Sequence, residues 1–217
     1  MRYYLFLFLF IASVDLAYSQ EQNLFTQEVQ QLIAKDDVTS HDNLYLFTGS
    51  SSIRFWPNLS EVYEGYNVLN RGFGGSTFTD LIHFKEELIF AYRPAKVFIY
   101  EGDNDIFKGE SVTSILEKAK SLAREIKERL PEAIVFFISP KPSLSRWELR
   151  EQYKELNYSL QAWASFEDNV RFIDVWTPMC DEQGQVFDDV FVSDGLHMNA
   201  KGYEIWTRIV RPFVEEE

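Results

Sequence analysis

Short apolar runs alternate with longer segments of helical periodicity from residue 44 to the C-terminus. The short runs are rich in Val, Ile, Phe and Tyr, the usual composition of buried strands. The longer segments repeat apolar residues three and four positions apart, as amphipathic helices do. This alternation predicts an α/β fold, a three-layer αβα sandwich around a five-stranded parallel sheet. The predicted strands are Leu44–Thr48, Tyr66–Leu69, Lys96–Tyr100, Ile134–Ile138 and Val170–Val175.

The helical periodicity also begins before the first strand, where a short amphipathic helix is predicted from Leu24 to about Lys35. Another predicted helix has legible ends, because Ser111 can cap its N-terminus and Pro131 lacks the N–H that a further turn would need. No internal repeat or Pro/Gly/Ser-rich linker interrupts the pattern, so one domain is predicted over residues 20–217. The helices predicted between and after the strands are Thr77–Tyr92, Val112–Leu130, Trp147–Phe166 and Ala200–Val214.

The first 19 residues are typical of a signal peptide. Met1-Arg2 supplies a positive start, and Tyr3 to Val14 forms an apolar run too short to cross a bilayer, which takes about 20 residues. Ala17-Tyr18-Ser19 then fits the small-x-small pattern of a cleavage site. A secreted or periplasmic location is therefore expected, with a retained membrane anchor as the alternative.

The composition narrows the possible partners of the chain. Its 217 residues carry a formal net charge of −13 with a pI near 4.7, so neither a nucleic acid nor an anionic membrane surface is an expected partner. Cys180 is the only cysteine, so no internal disulfide can form. Its apolar neighbours favour a packing role for Cys180 over a nucleophilic one.

Candidate chemistry is expected after the strands, because open parallel sheets bind ligands at the carboxyl ends of their strands. Gly49-Ser50-Ser51 follows the first strand, where a tight turn can present Ser51 as a nucleophile. Three glycines in four positions, Gly72 to Gly75, follow the second and can point N–H groups at a ligand. Taken alone, each segment is better explained as an ordinary structural turn.

Polar residues at two further positions complete the candidate site. Asn104 follows the third strand, and its side-chain N–H groups can donate to developing negative charge. Its acidic neighbours Asp103 and Asp105 are interpreted as turn and capping residues rather than metal ligands, since no histidine lies nearby. Asp194 stands three residues before His197, a spacing that lets a carboxylate orient an imidazole acting as a base.

Together these segments resemble, in order, the motif blocks of the SGNH hydrolases, also called GDSL-like lipases and esterases. The resemblance implies a flavodoxin-like fold and a serine ester hydrolase with Ser51 as nucleophile and Asp194 and His197 as acid and base. It also implies an oxyanion hole formed by Ser51, Gly75 and Asn104, with no metal or organic cofactor. Ser50 departs from the family, which has Asp at this position.

The segment after Ser51 and the substrate leave alternatives open. Arg54 and Trp56 resemble an acetylhydrolase branch of the family, but packing roles explain them equally well. The expected substrate is a small acyl ester, such as an O-acetylated carbohydrate or a lysophospholipid. A non-catalytic carbohydrate- or lipid-binding module on the same fold, or an acyltransferase using the same triad, is the alternative. The sequence does not indicate an oligomeric state.

Overall fold

The computed structural model describes residues 25–35 and 41–216. The described residues fall into two units, residues 25–35 and residues 41–216. In the first unit, residues 25–34 form helix α1, which agrees with the helix predicted there. The predicted signal peptide lies outside the described residues.

The second unit contains a parallel sheet of five strands in the order β2-β1-β3-β4-β5. The predicted α/β class and five-stranded parallel sheet are therefore confirmed. The strand order reverses direction between β1 and β3, the point at which open sheets of this kind leave a crevice beyond the strand ends. The strands are β1 (Tyr45–Gly49), β2 (Val68–Gly72), β3 (Lys96–Tyr100), β4 (Ile134–Ile138) and β5 (Val170–Ile173).

Three strand predictions had the wrong ends, and the one for β1 was displaced by a single residue, Tyr45–Gly49 in place of Leu44–Thr48. Strand β2 begins at Val68 rather than Tyr66 and runs on through polar residues to Gly72, because it pairs with β1 over its whole length. It is an edge strand, where polar side chains can stay partly exposed. Strand β5 ends at Ile173 instead of Val175, where its pairing with β4 stops.

The helices of the second unit connect these strands. The predicted helices at 112–130 and 200–214 are present with nearly the predicted ends. Three short helices had not been predicted, because four or five residues are too few to show a helical period. The helices are α2 (Ser51–Arg54), α3 (Leu59–Val62), α4 (Phe78–His83), α5 (Lys85–Leu88), α6 (Asp103–Phe107), α7 (Val112–Arg129), α8 (Arg150–Ala164) and α9 (Ala200–Glu215).

The single helix predicted from Thr77 to Tyr92 is wrong. The segment is broken into α4, α5 and a 3-10 turn at Phe90–Tyr92. The reason is that Leu88, Ile89 and Phe90 are all buried. Three successive residues cover about 200° of a helix surface, so a straight helix could not bury them all against one sheet. The helix predicted from Trp147 likewise starts as a 3-10 turn, Trp147–Leu149, and becomes α-helical at Arg150.

The core on one face of the sheet is a ladder of phenylalanine rings. Phe47, Phe98 and Phe136 are register partners on β1, β3 and β4. Their ring centroids lie 4.2 and 4.5 Å apart in nearly parallel planes. Trp206 and Val210 of α9 belong to the same buried cluster, so α9 covers this face of the sheet.

The opposite face packs against α4 and α8. Phe137 follows Phe136 along β4, and successive side chains on a strand point to opposite faces. Its ring lies 6.2 Å from that of Phe78 on α4 and 5.8 Å from that of Trp163 on α8. Helices thus cover both faces of the sheet, as the three-layer prediction requires.

Helix α9 is secured at both ends. The side chain of Asn199 accepts a hydrogen bond from the N–H of Gly202 and caps the N-terminus. The ammonium of Lys96 donates to the carbonyls of Phe213 and Val214, both at 3.1 Å, at the C-terminal end. The start of α9, and the loop that leads into it, is therefore fixed relative to the sheet.

Gly49→Ala tests how closely β1 and β3 approach at their ends. A Cβ at position 49 would lie 2.1 Å from the carbonyl oxygen of Tyr100, on a backbone with φ of +118°. We expect the free energy of unfolding, measured by urea denaturation, to fall by at least about 3 kcal/mol. Gly184→Ala is the control, since its φ is +75° but a Cβ would meet nothing within 4 Å. It should cost only about 1 kcal/mol, and equal losses would contradict the close approach.

Candidate active site

The residues predicted for the site converge on the carboxyl ends of β1, β2 and β3. Ser51 is the first residue of α2, directly after β1. Gly75 lies in the loop after β2, and Asn104 lies in α6, directly after β3. Asp194 and His197 lie in the loop that leads into α9.

Ser51, His197 and Asp194 form a continuous chain of hydrogen bonds. The Oγ of Ser51 lies 3.0 Å from Nε2 of His197. The Nδ1 of the same ring lies 2.6 Å from Oδ2 of Asp194. Because the carboxylate is ionised, Nδ1 carries a proton and donates a hydrogen bond to it. The unprotonated Nε2 can then accept the serine hydroxyl proton. This arrangement can activate a serine as a nucleophile.

The loop that carries Asp194 and His197 holds its own geometry. The Oδ1 of Asp194 accepts hydrogen bonds from the N–H groups of Leu196 at 2.8 Å and His197 at 2.9 Å. Desolvation would raise the pKa of Asp194, but these bonds and that from the His197 ring outweigh it and lower the pKa to about 2. The carboxylate is therefore ionised at neutral pH and can stabilise an imidazolium.

Hydrogen bonds from neighbouring elements fix the position of helix α2, which begins at Ser51. Gly49 adopts φ of +118°, which lets the N–H of Ser50 reach the carbonyl oxygen of Tyr100 at 3.0 Å. The side chain of Asn70 donates to the carbonyl of Ile53 at 2.7 Å. The hydroxyl of Tyr203 on α9 donates to the carbonyl of Ser52 at 3.0 Å. Elements on both sides of α2 thus fix the position of the serine.

Asn104 links the segments that carry Ser51 and Gly75. Its Nδ2 donates to Oγ of Ser50 at 2.7 Å and to the carbonyl oxygen of Ser76 at 2.8 Å. The amide therefore lies beside the residue that precedes Ser51 and beside the residue that follows Gly75. Gly75 has φ of +76°, a conformation that favours glycine. Within the described residues, no hydrogen bond uses the backbone N–H of Ser51 or Gly75, so both can donate to a bound anion.

The departure at Ser50 has a visible consequence. Ser50 is buried, and its hydroxyl oxygen accepts a hydrogen bond from the Asn104 amide. A hydroxyl can rotate and donate as well as accept, whereas an ionised carboxylate can only accept. Ser50 therefore holds Asn104 without placing a negative charge beside Ser51.

A buried charged network that was not predicted from the sequence lies behind Asn104. Arg146 lies in the loop before α8, and its Nη1 donates to Oδ1 of Asp103 at 2.5 Å. The hydroxyls of Tyr100 and Tyr153 also donate to this carboxylate, at 2.7 and 2.8 Å. Burial would raise the pKa of Asp103, but nearby Lys141, Arg146 and the two hydroxyls lower it below its ordinary value. The carboxylate of Asp103 is thus a stable anchor for Arg146. The only sign of this network in the sequence was a charged residue shortly after an apolar strand.

Two other buried carboxyl groups near the site behave in the opposite way. Glu101 is fully buried, and its Oε1 accepts from the hydroxyl of Ser76 at 2.6 Å. Burial, with the nearby charge of Asp105, raises the pKa of Glu101 well above its ordinary value. Burial also raises the pKa of Asp105 to about 6. Asp105 accepts from the N–H groups of Phe78 and Gly102, at 3.0 and 3.1 Å, which agrees with the capping role predicted for it.

Other residues singled out in the sequence lie away from the reacting atoms. Trp56 is buried among Phe47, Tyr203 and Trp206, so a packing role fits its environment. Burial raises the pKa of the Cys180 thiol to about 11, which keeps the thiol protonated and a poor nucleophile at neutral pH.

The described residues contain neither a metal-binding cluster nor a membrane-spanning helix. Within residues 25–35 and 41–216, no group of three or more His, Cys, Asp or Glu side chains is arranged to hold a metal ion. In the same residues, every helix is too short or too polar to cross a membrane.

Comparison with known proteins gave a family and a set of similar structures. A model of the GDSL-like lipase/acylhydrolase family matches residues 38–205. A GDSL-like lipase from Bacteroides thetaiotaomicron is 19% identical with a TM-score of 0.75, over 88% of this chain and 97% of its own. A lipase/acylhydrolase from Enterococcus faecalis is 22% identical with a TM-score of 0.65, over 80% and 96% of the two chains.

An acetylxylan esterase from Geobacillus stearothermophilus is 19% identical with a TM-score of 0.66, over 81% of this chain and 95% of its own. At these identities, each solved structure supports the fold alone. A search of curated proteins found no match.

Glu101→Gln tests whether the buried carboxyl is protonated. Because the pKa of Glu101 is raised in the folded state, the folded protein retains a proton that the unfolded chain loses above about pH 4.5. Wild-type stability should therefore fall as pH rises from 5 to 8, and Glu101→Gln should remove part of that fall. Urea denaturation at several pH values measures the difference in the free energy of unfolding between the two proteins. As the pH rises, this difference should change in favour of the variant. Exposed Glu182→Gln is the control, and parallel curves for Glu101→Gln and the wild type would contradict the prediction.

Proposed function

We propose that this chain, which belongs to the GDSL-like lipase/acylhydrolase family of carboxylic ester hydrolases, cleaves small acyl esters through an acyl-enzyme on Ser51. The observation that chiefly supports this proposal is the 3.0 Å separation between Oγ of Ser51 and Nε2 of His197. The carboxylate of Asp194 on the other ring nitrogen supports the roles of base for His197 and of orienting anion for Asp194.

In the first half of the reaction, Oγ of Ser51 attacks the ester carbonyl carbon while Nε2 of His197 takes the hydroxyl proton. The carbonyl π electrons move onto its oxygen, and a tetrahedral oxyanion forms. When the oxyanion collapses, the bond to the alcohol oxygen breaks, and His197 returns its proton to the leaving alcohol. The acyl group remains esterified to Ser51.

In the second half, water replaces the alcohol and the same groups act again. His197 takes a proton from the water as it attacks the acyl carbonyl, and returns that proton to Oγ of Ser51 as the acid departs. The ionised Asp194 stabilises the imidazolium in both halves. The products are the free acid and the regenerated hydroxyl.

The oxyanion hole is proposed to consist of the N–H groups of Ser51 and Gly75 and the side chain of Asn104. Its support is the position of the Asn104 amide, which bonds to Ser50 on one side and Ser76 on the other. For Asn104 to donate a hydrogen bond to the oxyanion, the Ser50 side chain must rotate its Oγ away from Nδ2. Each donor of this kind is worth on the order of 100- to 1,000-fold in kcat.

Among candidate substrates, an O-acetylated carbohydrate fits the surroundings best. Two exposed aromatic side chains flank the site: Phe55 is 50% exposed and Phe107 is 59% exposed. The Phe55 ring lies 5.4 Å from that of His197, and the Phe107 ring lies 4.2 Å from the Arg146 guanidinium. Exposed aromatic faces can pack against sugar rings. The net charge of −13 makes a lysophospholipid at an anionic membrane a poorer fit, and one similar structure is an acetylxylan esterase.

The protein is further proposed to act outside the cytoplasm, because its first 19 residues fit an export signal. N-terminal sequencing of the protein recovered from its host checks this point, with Gln20 as the expected first residue.

Ser51→Ala tests the proposed nucleophile. We expect the variant to lose hydrolysis of an aryl acetate and labelling by a fluorophosphonate probe, because both require the Ser51 hydroxyl. Its melting temperature should be nearly unchanged, since Ser51 is only partly buried. Ser52→Ala, beside it, is the control and should keep both activities. Labelling of the Ser51→Ala variant would refute the assignment, and a wild-type protein that is never labelled would favour the binding-module alternative.

Paired aromatic variants test the substrate class. We expect Phe55→Ala and Phe107→Ala each to raise KM for an acetylated xylo-oligosaccharide several-fold, while kcat/KM for a small acetate such as triacetin changes little. Phe166→Ala is the matched control, because Phe166 is 87% exposed and precedes β5 at the opposite edge of the sheet. Equal loss on both substrates, or faster cleavage of a lysophospholipid by the wild type, would contradict the carbohydrate proposal.

A further inference from the structure

We propose that Arg146 is a positioning residue that orients and polarises the Asn104 carboxamide, and through it the oxyanion hole. The inference rests on the role proposed above for Asn104. Arg146 lies 42 positions further along the chain, in the loop between β4 and α8, and its Nη2 donates to Oδ1 of Asn104 at 3.1 Å. Nothing in the active-site motifs of the sequence assigns it a role.

The contacts of Asn104 are compatible with only one orientation of its amide. Oδ1 accepts from the guanidinium of Arg146, while Nδ2 donates to the carbonyl of Ser76 and to Oγ of Ser50. A flipped amide would set its NH₂ group against the guanidinium and its oxygen against the Ser76 carbonyl. Both contacts would be repulsive. Arg146 therefore helps to keep the N–H groups of Asn104 turned toward Ser50 and Ser76, which flank the segments that carry Ser51 and Gly75.

Arg146 can do this because it is itself held in place. Its Nη1 donates to Oδ1 of Asp103 at 2.5 Å, and both side chains are 8% exposed. The ring of Phe107 lies 4.2 Å from the guanidinium. Asp103 accepts further hydrogen bonds from Tyr100 and Tyr153. The guanidinium thus bridges the buried anchor Asp103 and the site residue Asn104.

The bridge also affects the strength of the hydrogen bonds that Asn104 can donate. A cation that donates to an amide oxygen draws electron density from the amide nitrogen, and hydrogen bonds linked in series strengthen one another. The benefit is greatest when negative charge develops on the bound carbonyl oxygen. Loss of Arg146 should therefore lower kcat more than it raises KM.

The chemistry of the bridge calls for arginine. Two N–H groups held in one plane reach two acceptors at once, here Asp103 and Asn104. A lysine ammonium is a single point charge on a flexible stem, so it can satisfy Asp103 without fixing Asn104. Arg146→Lys should therefore keep the buried charge pair and still lose part of kcat.

A double-mutant cycle on the full chain tests the proposal. With an aryl acetate as substrate, we expect Asn104→Ala to lower kcat about 100-fold or more. Arg146→Met should lower kcat about tenfold and change KM by no more than about twofold. The kcat of Arg146→Lys should lie between those of Arg146→Met and the wild type. In the Asn104→Ala background, either Arg146 change should cost less than about twofold, because its effect passes through Asn104. Arg150→Met is the control, since Arg150 bonds the carbonyl of Trp147 nearby and should leave kcat unchanged.

The outcomes separate this inference from the proposed function. If the losses from Arg146→Met and Asn104→Ala multiply, Arg146 acts independently of Asn104, and the inference fails while the oxyanion role stands. If Asn104→Ala keeps full kcat, the proposed oxyanion role fails and the inference fails with it. Should Arg146→Met not fold, the same cycle is run with Arg146→Lys.

A measurement that leaves Arg146 intact completes the test. The guanidinium ¹⁵N–H signals of Arg146 should shift in Asn104→Ala relative to the wild type, because Nη2 loses its acceptor. Unchanged signals would overturn the inference.

Discussion

The site depends on the close approach of β1 and β3 at their carboxyl ends. Gly49 has no side chain and a φ of +118°, so the N–H of Ser50 can bond to the carbonyl of Tyr100. That contact starts α2 at Ser51 on one strand and brings the residues after Tyr100 beside it on the other. Because the strand order reverses between these two strands, no crossover helix covers the gap. A serine on one side and an amide on the other can then face the same small space.

Two acidic residues that follow β3 illustrate how their surroundings decide the pKa of a carboxyl group. Asp103 meets Arg146, Lys141 and two tyrosine hydroxyls, and its pKa falls below the ordinary value despite burial. Among the described residues, Glu101 meets one serine hydroxyl and no cation, and its pKa rises. The chain thus places an anion where it anchors the arginine behind Asn104, and beneath the loop of Gly75 a carboxyl group whose raised pKa favours its protonated form. Burial alone would have raised the pKa of both.

The sequence predicted what depends on local pattern and strand ends, and missed what depends on contacts between distant segments. The five strands were predicted because each is a short apolar run, and Ser51 and Asn104 because each follows one. The break in the helix at 77–92 was missed, because burial of Leu88, Ile89 and Phe90 together is a property of the sheet they cover. Arg146 was missed for a similar reason, since its carboxylate partner lies 43 positions away and no local motif marks the pair.

The geometry divides the site into a local part and a part that the whole fold must assemble. Asp194 is bound by the N–H groups of Leu196 and His197 and by the His197 ring, all within four residues. This loop can therefore set the orientation of its own imidazole, even though Asp194 is exposed. Ser51 and the Asn104 amide are not positioned by their own loops in this way, because each is held by residues from other strands and loops. The hydrogen bond between His197 and Ser51, which lie 146 positions apart, thus joins a base that is oriented by its own loop to a nucleophile. The position of that nucleophile depends on the packing of the entire sheet. The alignment of His197 with Ser51 depends on α9, which is capped by Asn199 at its N-terminus and held by Lys96 at its C-terminus. Helix α9 therefore connects the stability of the fold to the alignment of the site.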